Sequence, residues 1–329
     1  MSILVTGGTG FLGRHVVRAL LAAGEAPKIL VRNDDAELSR LGAEVIPGSV
    51  LIRDDVARAL RGVRQVFHLA GFVSRDRSHG RLMYEVHVEG SRNVLEAAAA
   101  AGVERVVVAS TSGTVAVSPR PDPLPTERDL DPIEIIAAWP YYLSKLYQER
   151  LCFRLGREHG IEVVAVNPSL LLGPGDRRLS SVSDVKKIVD GALPAIPPGG
   201  LSFADVRDVA QACLAAMERG RPGERYLLGA ANMSFTHFVR KVAAIAGVEA
   251  PPLKLPEGVT RVSAQVLDRL GGIFGFTPAV DPVSAEMSEY YWYLDDSKAR
   301  AELGWAPRDP HETLADTVAD LERHLPSAA

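Results

Sequence analysis

The stretch at residues 2–15 constrains the fold of this chain more than any other. An apolar run at 3–5 leads into Gly7, Gly10 and Gly13, and apolar residues at helical spacing follow from Phe11. Glycines placed in this way between a strand and a helix allow a tight turn, the close approach of a phosphate to the backbone, and close packing of helix on strand. The pattern therefore predicts that a dinucleotide pyrophosphate binds at the exposed N–H groups of the first helical turn.

Strand and helix patterns alternate along the first half of the chain. The run at 106–108 is apolar throughout, as expected of a strand covered on both faces. This alternation predicts an α/β fold with a doubly wound parallel sheet of the Rossmann type. The predicted strands are 28–31, 43–46, 65–69, 105–109 and 161–167, and the predicted helices are 11–23, about 35–42, about 54–62, 82–101 and 139–159.

Beyond Pro168, prolines divide the chain into shorter elements, with helical periodicity at 207–218, 235–246 and 314–324. Ligands of open α/β sheets lie at the carboxyl ends of the strands, so we expect the second half to cover that edge. We predict a dinucleotide-binding domain at 1–168, joined by segments that return from about 200–232. Residues 169–329 are predicted to form mainly a smaller C-terminal substrate-binding lobe.

Composition argues against several classes of function. The formal net charge of −4 and the isoelectric point near 6.1 give no reason to expect a nucleic-acid partner. No apolar run approaches the roughly 18 residues of a membrane span, and no signal peptide precedes the first strand, so we expect a cytoplasmic protein. Cys152 and Cys213 fit buried apolar positions, and the histidines show no ligand spacing, so no metal site is expected.

Tyr141 and Lys145 form the second informative feature. They are four positions apart in a predicted helix, so both side chains project from one face. A phenol has an ordinary pKa near 10, and a cation held beside it favours the phenolate and lowers that pKa. We interpret the pair as a general acid–base residue with its tuning cation. The alternative is an exposed lysine on an amphipathic helix.

A run of hydroxyl side chains, Ser110-Thr111-Ser112, follows the predicted strand at 105–109. A hydroxyl at the carboxyl end of a strand faces the cleft, where it can donate a hydrogen bond to a substrate carbonyl oxygen. Such a run by itself is typical of a turn. Together with the glycine loop and the Tyr141–Lys145 pair, it indicates a catalytic hydroxyl.

These motifs resemble the extended short-chain dehydrogenase/reductases of the epimerase/dehydratase superfamily. Within that superfamily, the chain is most similar to dihydroflavonol-reductase-like and hopanoid-associated epimerase-like proteins. The resemblance covers nearly the whole chain. It is carried by Thr6-Gly7-Gly8-Thr9-Gly10-Phe11-Leu12-Gly13, His68-Leu69-Ala70-Gly71 and Tyr141-x-x-x-Lys145, with further matches at 88–95, 167–169, 173–174, 205–210, 297–299 and 302–305.

The resemblance implies specific roles for residues of this chain. Tyr141 would be the general acid–base residue, and Lys145 would lower its pKa and hold the nicotinamide ribose hydroxyls. Thr111 falls where the family usually has its catalytic serine, with Ser112 as the second choice. The residues expected to contact the cofactor are Gly7, Thr9, Gly10, Phe11, Leu12 and Gly13 in the glycine loop, Leu69, Ala70 and Gly71 at the ribose, and Pro168 and Ser169 at the nicotinamide.

Three positions depart from the family pattern. Ser49 stands where the family commonly has an aspartate that contacts the adenine amine, so this contact is expected from the backbone near Val50. His87 stands where asparagine is usual, and we favour a buried, hydrogen-bonded histidine over a second titrating group. Thr111 replaces the serine.

The end of the second predicted strand bears on the choice of cofactor. An NAD site places an acidic residue there, whereas an NADP site places an arginine near the 2′-phosphate. This chain has Arg32, and Arg14 lies in the first helical turn, where the helix dipole disfavours a cation unless an anion is present. We therefore favour NADP(H) over NAD(H). The alternative is that both arginines are solvated and that Asp34 or Asp35 reaches the ribose hydroxyl.

The leading hypothesis for the reaction is NADP(H)-dependent interconversion of a carbonyl and a secondary alcohol on a small substrate. Aromatic residues in the last third of the chain suit an apolar or aromatic substrate, although such residues also build cores. They are Phe274, Phe276, Tyr290, Tyr291, Trp292 and Tyr293.

Two alternatives remain open. A nucleotide-sugar epimerase or dehydratase uses the same residues and needs basic groups for a second pyrophosphate, which Arg177 and Arg178 would supply. A non-catalytic NADP-binding protein could share the fold. A homodimer through the helices at 82–101 and 139–159, the usual dimer faces of the family, is also left open.

Overall fold

A seven-stranded parallel sheet lies at the centre of the structure, a computed structural model that describes residues 2–33, 35–256 and 282–324. Its strand order, β3-β2-β1-β4-β5-β6-β9, reverses direction between β1 and β4, which is where open sheets of this kind bind ligands. The predicted doubly wound α/β fold is confirmed. The strands are β1 (Ile3–Thr6), β2 (Lys28–Val31), β3 (Glu44–Pro47), β4 (Gln65–His68), β5 (Arg105–Ala109), β6 (Glu162–Pro168) and β9 (Arg225–Leu228).

Helices cover both faces of this sheet. The helix predicted at 139–159 begins one residue later, at Pro140, because proline is well suited to the first helical position. The helices of the described residues are α1 (Phe11–Ala22), α2 (Ala36–Arg40), α3 (Arg53–Ala59), α4 (Gly80–Tyr84), α5 (Gly90–Ala101), α6 (Ile133–Ile136), α7 (Pro140–His159), α8 (Ser183–Val189), α9 (Val206–Arg219), α10 (Phe235–Ala246), α11 (Pro282–Met287), α12 (Ser297–Leu303) and α13 (Pro310–His324).

Strand β5 shows why the apolar run at 106–108 forms a central strand. Val106 and Val108 pack into the apolar cluster on one face of the sheet, and Val107 packs into the cluster on the other face. All three side chains are fully buried. Burying each one contributes about 1.5–3 kcal/mol, so a strand apolar on both sides is stable only between two layers of helices.

A second, four-stranded sheet lies beyond β6. The part of the chain predicted to return from about 200–232 divides between the sheets, because β9 joins the large sheet whereas β8 and β10 pair with each other. The boundary between the two domains remains a prediction. The strands of the small sheet are β7 (Leu170–Leu172), β8 (Gly200–Asp205), β10 (Ala231–Ser234) and β11 (Tyr291–Trp292).

The helix predicted at 82–101 is not continuous. A five-residue π-helical segment, Glu85–Glu89, separates α4 from α5. Single π turns of this kind are frequent at functional sites. The segment contains the buried His87, whose ring hydrogen-bonds tie it to two other parts of the chain.

Cys152 and Cys213 are both free and buried, as predicted. Among the described residues, no helix combines the length and apolarity needed to cross a membrane. No cluster of three or more histidine, cysteine, aspartate or glutamate side chains suited to a metal ion occurs within the same ranges.

Candidate active site

The glycine loop has the geometry expected of a phosphate-binding turn. Gly7 has a left-handed backbone, with φ of 73°, and a Cβ atom added there would lie 2.6 Å from the backbone N of Ala70. A Cβ atom on Gly13 would lie 2.1 Å from the carbonyl oxygen of Gly7. Since neither backbone can move aside, only glycine fits at these two positions.

The N-terminus of α1 is open to an anion. Gly10 is its N-cap residue and supplies no side-chain cap, and the first turn has no acidic residue. The first N–H groups of a helix have no partner within the helix, and the helix dipole favours negative charge there. Thr9 and Phe11 are half-buried beside this turn, and Leu12 is buried beneath it. These features fit the pyrophosphate of a dinucleotide.

Lys145 is buried on α7 and held by neutral groups. Its Nζ donates hydrogen bonds to the carbonyl oxygen of Ala109 at 2.7 Å and to Oε1 of Gln148 at 2.8 Å. Burial lowers the pKa of Lys145 to about 8, although Cys152 and Glu149 act in the opposite direction. The ammonium is therefore close to titration just above neutral pH.

Tyr141 lies one turn before Lys145 on α7. Its hydroxyl has no hydrogen-bond partner among the described residues. Burial, and then the neighbouring Tyr142, raise the pKa of Tyr141 above its ordinary value. The sequence argument predicts that Lys145 lowers the pKa of Tyr141, but in this structure burial raises that pKa instead. The phenol is neutral near pH 7 and has a proton to donate.

Thr111 and Ser112 lie just beyond β5. Thr111 is half-buried and caps the short turn that follows, with the N–H of Gly113 donating to its Oγ1 at 3.4 Å. Ser112 is buried, with 4% of its surface exposed. Thr111 is thus the more accessible of the two hydroxyls to a substrate.

Asn167 and Glu149 support the turn at Thr111. The amide nitrogen of Asn167 donates to the carbonyl oxygen of Thr111 at 3.2 Å and to Glu149 at 2.7 Å. Glu149 is almost completely buried and also accepts a hydrogen bond from Arg225 at 3.2 Å. A buried carboxylate needs such partners. Sequence reasoning missed Glu149, whose only signal is its position four residues after Lys145.

His87 is a buried histidine with both ring nitrogens bonded, as the sequence favours. The backbone N–H of Phe72 donates to Nε2 at 3.0 Å, so Nδ1 carries the proton and donates to Ser144 Oγ at 2.9 Å. Ser144 in turn donates to the carbonyl oxygen of Tyr141 at 2.8 Å. Burial, with a smaller effect of Lys145, lowers the pKa of His87 to about 2.

An aromatic cluster adjoins Tyr141. We define it as Trp139, Tyr142, Tyr290 and Trp292. The Tyr141 and Tyr142 rings lie 5.0 Å apart, and the Tyr142 and Trp292 rings lie 4.9 Å apart. The Trp139 ring packs against Tyr290 at 5.4 Å and Trp292 at 5.5 Å. Phe274 and Phe276, which the sequence groups with these residues, lie outside the described part of the chain.

The remaining predicted cofactor residues lie along the carboxyl edge of the sheet. Leu69 and Ala70 follow β4, and a Cβ atom added to the next residue, Gly71, would lie 3.2 Å from Nε2 of His87. Pro168 ends β6, and the next residue, Ser169, donates through Oγ to the carbonyl oxygen of Leu228 at 3.0 Å. The structure therefore brings these residues to the edge that also holds Lys145.

The opposite end of this edge, at β2, carries ion pairs. Arg14 lies 2.5 Å from Asp35 and 3.0 Å from Glu37, so carboxylates of this chain already satisfy it. Asp35 also accepts a hydrogen bond from the N–H of Leu38 at 3.2 Å. Arg32 is exposed at the end of β2.

Two further predictions concern this end of the edge. The carbonyl oxygen of Val50 accepts a hydrogen bond from Asn93 at 2.9 Å. The oxygen keeps a second lone pair for the contact with the adenine amine that the sequence analysis expects near Val50. Asp34, one of the two acidic residues considered for the ribose hydroxyl, lies outside the described residues.

Comparisons with known proteins agree with this geometry. A profile described as the NAD dependent epimerase/dehydratase family matches residues 3–229. The chain is 32% identical to "Sterol demethylase protein B" of Methylococcus capsulatus over 97% of this chain and 98% of that protein. It is also 32% identical to "Putative dihydroflavonol 4-reductase" of Synechocystis over 97% and 94%.

A solved structure shares the fold. The Thermus thermophilus UDP-glucose 4-epimerase in complex with NAD superposes with a TM-score of 0.76 at 24% identity, over 98% of this chain and 99% of that one. The resemblance inferred from the motifs is confirmed. The chain belongs to the NAD dependent epimerase/dehydratase family and is an NAD(P)-dependent enzyme of the extended short-chain dehydrogenase/reductase type.

Proposed function

We propose that the protein is an NADP(H)-dependent oxidoreductase that interconverts a carbonyl and a secondary alcohol on a small apolar or aromatic substrate. The observation that carries the proposal is the neutral hydroxyl of Tyr141, which has no hydrogen-bond partner among the described residues, one helical turn from the buried Lys145 and next to the aromatic cluster. A phenol that keeps its proton at neutral pH is suited to protonate an oxygen that gains charge.

Three side chains have separate roles in the proposed reaction. The nicotinamide, when bound, supplies the hydride that reduces the carbonyl carbon. Tyr141 gives its proton to the carbonyl oxygen, and the hydroxyl of Thr111 donates a hydrogen bond to the same oxygen as negative charge develops. Lys145 holds the ribose hydroxyls of the cofactor, and Ser112 is the second choice for the role of Thr111.

The rest of the cofactor would lie along the carboxyl edge of the sheet. Gly7, Gly10 and Gly13 cradle the pyrophosphate, and the first turn of α1 faces its charge. The neighbouring contacts come from Thr9, Phe11, Leu12, Leu69, Ala70, Gly71, Val50, Pro168 and Ser169, which all lie along this edge.

The preference for NADP over NAD is part of the proposal and depends on Arg32. Asp35 is engaged by Arg14 and by the N–H of Leu38, which leaves its carboxylate less able to accept a ribose hydroxyl. Arg32 is exposed at the end of β2, where a 2′-phosphate would lie. Arg14 would contribute only after releasing a carboxylate.

A screen of ketones and aldehydes with NADPH oxidation as the readout tests this function. The expected result is turnover of an apolar or aromatic carbonyl compound without any nucleotide sugar, and its absence in the Tyr141→Phe variant. Turnover that requires a nucleotide sugar would favour the epimerase or dehydratase. NADPH binding without NADPH oxidation on any substrate would favour a non-catalytic NADP-binding protein.

We also propose a homodimer through one face of the helical layer. Exposed Tyr84 and Tyr147 lie in a groove between α4, the π-helical segment, α5 and α7, which Arg92, Arg150 and Arg154 border. Aromatic and arginine side chains are enriched at protein interfaces. Light scattering of the purified protein is expected to give twice the chain mass, and a lower mass for Tyr147→Glu.

A further inference from the structure

A continuous chain of buried hydrogen bonds joins the end of β1 to Lys145. The hydroxyl of Thr6 lies 2.7 Å from Nδ1 of His68, and Nε2 of His68 lies 2.8 Å from Oγ of Ser91. The amide nitrogen of Gln148 lies 2.8 Å from the same Oγ, and Oε1 of Gln148 accepts from Lys145 at 2.8 Å. We call these five residues the buried polar chain.

The direction of each hydrogen bond in the buried polar chain is fixed. Ser91 donates its one proton to the carbonyl oxygen of His87 at 2.5 Å, so it accepts from both Gln148 and Nε2 of His68. Nδ1 of His68 then accepts from Thr6. The hydroxyl of Thr6 accepts in turn from the backbone N–H of Ala70 at 3.3 Å.

Water cannot take over any of these bonds without a rearrangement. Thr6, His68, Ser91 and Gln148 are each fully buried, and Lys145 is 5% exposed. Without the Gln148 carbonyl, the Ala109 carbonyl would be the only acceptor that the described residues offer to the ammonium. A buried donor left without a partner costs more than the bond itself contributes.

We propose that Gln148 is a positioning residue for Lys145, and that Ser91 and His68 fix the orientation of its amide relative to the glycine loop. Because the amide nitrogen is held by Ser91, the carbonyl oxygen is turned toward the ammonium. The buried polar chain thereby ties the loop that would bind the pyrophosphate to the group that would bind the nicotinamide ribose. This inference rests on the proposed function for the role of Lys145.

Among the described residues, few titratable groups influence the protonation of Lys145. The titratable groups that interact with the ammonium are Glu149 and Cys152 on the same helix, His68 on β4, and His87 in the π-helical segment. Burial keeps both histidines neutral and the thiol protonated, so Glu149 is the one carboxylate of this set. A change at Gln148 therefore acts directly on the balance between ammonium and amine.

Two substitutions of similar size test the proposal because they act in opposite directions. Gln148→Leu removes the acceptor and disfavours the ammonium, whereas Gln148→Glu places a carboxylate beside it. NADPH affinity, measured by fluorescence titration from pH 6 to 10, is expected to fall at alkaline pH as Lys145 loses its proton. We expect this limb to move about one pH unit down in Gln148→Leu and about one unit up in Gln148→Glu.

Shifts in the same direction, or an unchanged limb in both variants, would overturn the proposal, since a role in packing alone has no charge-dependent sign. Ser91→Ala, a smaller change, is expected to shift the limb downward by less and serves if Gln148→Leu does not fold. Gln211→Leu, at an exposed position of α9, is the matched control and should leave the limb unchanged. Because binding needs no turnover, an enzyme inactive on all carbonyl compounds would refute the proposed function and still test Gln148.

Discussion

The two ends of the proposed cofactor cleft hold their cations in opposite ways. At one end, Lys145 is buried and contacts two neutral carbonyl oxygens. At the other, Arg14 is partly exposed and contacts the carboxylates of Asp35 and Glu37. A buried ammonium whose hydrogen-bond acceptors are neutral is more easily deprotonated than an exposed one, whereas an ion-paired guanidinium keeps its charge at any accessible pH. The charge of Lys145 at the reactive end therefore depends on pH, whereas the charge of Arg14 at the other end does not.

Removal of the phenol at the buried end is expected to have the largest effect. Tyr141→Phe keeps the ring and its packing but removes the proton donor, so we expect kcat to fall by roughly a thousandfold. NADPH affinity should stay within about twofold of the wild type, as measured by fluorescence titration. Tyr142→Phe, on the neighbouring ring, is the control and should retain most of the activity. Substantial turnover by Tyr141→Phe would remove the assignment of Tyr141.

The glycine loop connects the two ends, and Gly13→Ala should disrupt both. The added methyl would lie 2.1 Å from the Gly7 carbonyl, so the loop or α1 must shift. We expect about 1–3 kcal/mol lower stability and a loss of cofactor binding of at least about tenfold. Gly24→Ala, after the other end of α1, tests the cost of a left-handed backbone alone and should leave binding intact. Equal binding by both variants would contradict the close-approach argument.

Acid should destabilise the protein through the buried histidines near Lys145. Burial, with a smaller effect of Lys145, lowers the pKa of His68 to about 3 and that of His87 to about 2. In the unfolded chain these histidines bind a proton at about pH 6.5, whereas the buried rings stay neutral. The native state therefore has its full free energy of unfolding above about pH 6.5 and loses part of it as the pH falls. At pH 5 each histidine should lower the free energy of unfolding by about 2 kcal/mol.

Thermal melts from pH 4 to 8 measure this loss. His87→Asn should flatten the acid limb by about the contribution of one histidine. His311→Asn, on the exposed surface of α13, should leave the limb unchanged. An acid limb identical in wild type and His87→Asn would show that this ring is not the group that resists protonation.

The smallest effect is expected at the exposed end. Arg32→Ala should weaken NADPH binding by roughly tenfold, equivalent to about 1.4 kcal/mol, and leave NADH binding unchanged. Arg18→Ala removes an arginine whose partner in the structure is Glu37, and should change neither affinity. Parallel titrations with the two cofactors measure the difference. Equal losses for NADPH and NADH would contradict a 2′-phosphate contact at Arg32.

The large sheet was predictable because each of its strands is a local apolar run. The central strands at 105–109 and 28–31 fall within the bounds that the sequence predicts, and α10 spans the predicted 235–246. The small sheet was not predictable, since β7 and β11 have only three and two residues. Strands of this length have no periodicity of their own and form only where a neighbouring strand offers hydrogen bonds.

The residues of the candidate site likewise divide into those that the sequence predicts and those that it does not. Tyr141, Lys145, Thr111 and the glycines could be identified because they follow motifs with fixed spacing. The buried hydrogen bonds of Ser91 and Gln148 could not be predicted, although Ser91 lies in the matching stretch at 88–95, because single polar residues in helices are usually solvated and nothing in their spacing indicates burial. His68 gave a weak signal as a polar residue within the apolar strand β4.

The sequence by itself determined the alternation of strands and helices, the phosphate-binding turn and the spacing of the reactive pair, because each depends on local backbone sterics and side-chain periodicity. Only the tertiary structure decided which charges are satisfied: Arg14 by Asp35 and Glu37, and Lys145 by Ala109 and Gln148. It also decided the protonation of Tyr141 and His87. Burial and hydrogen-bond partners set these properties, and both arise from segments far apart in the chain.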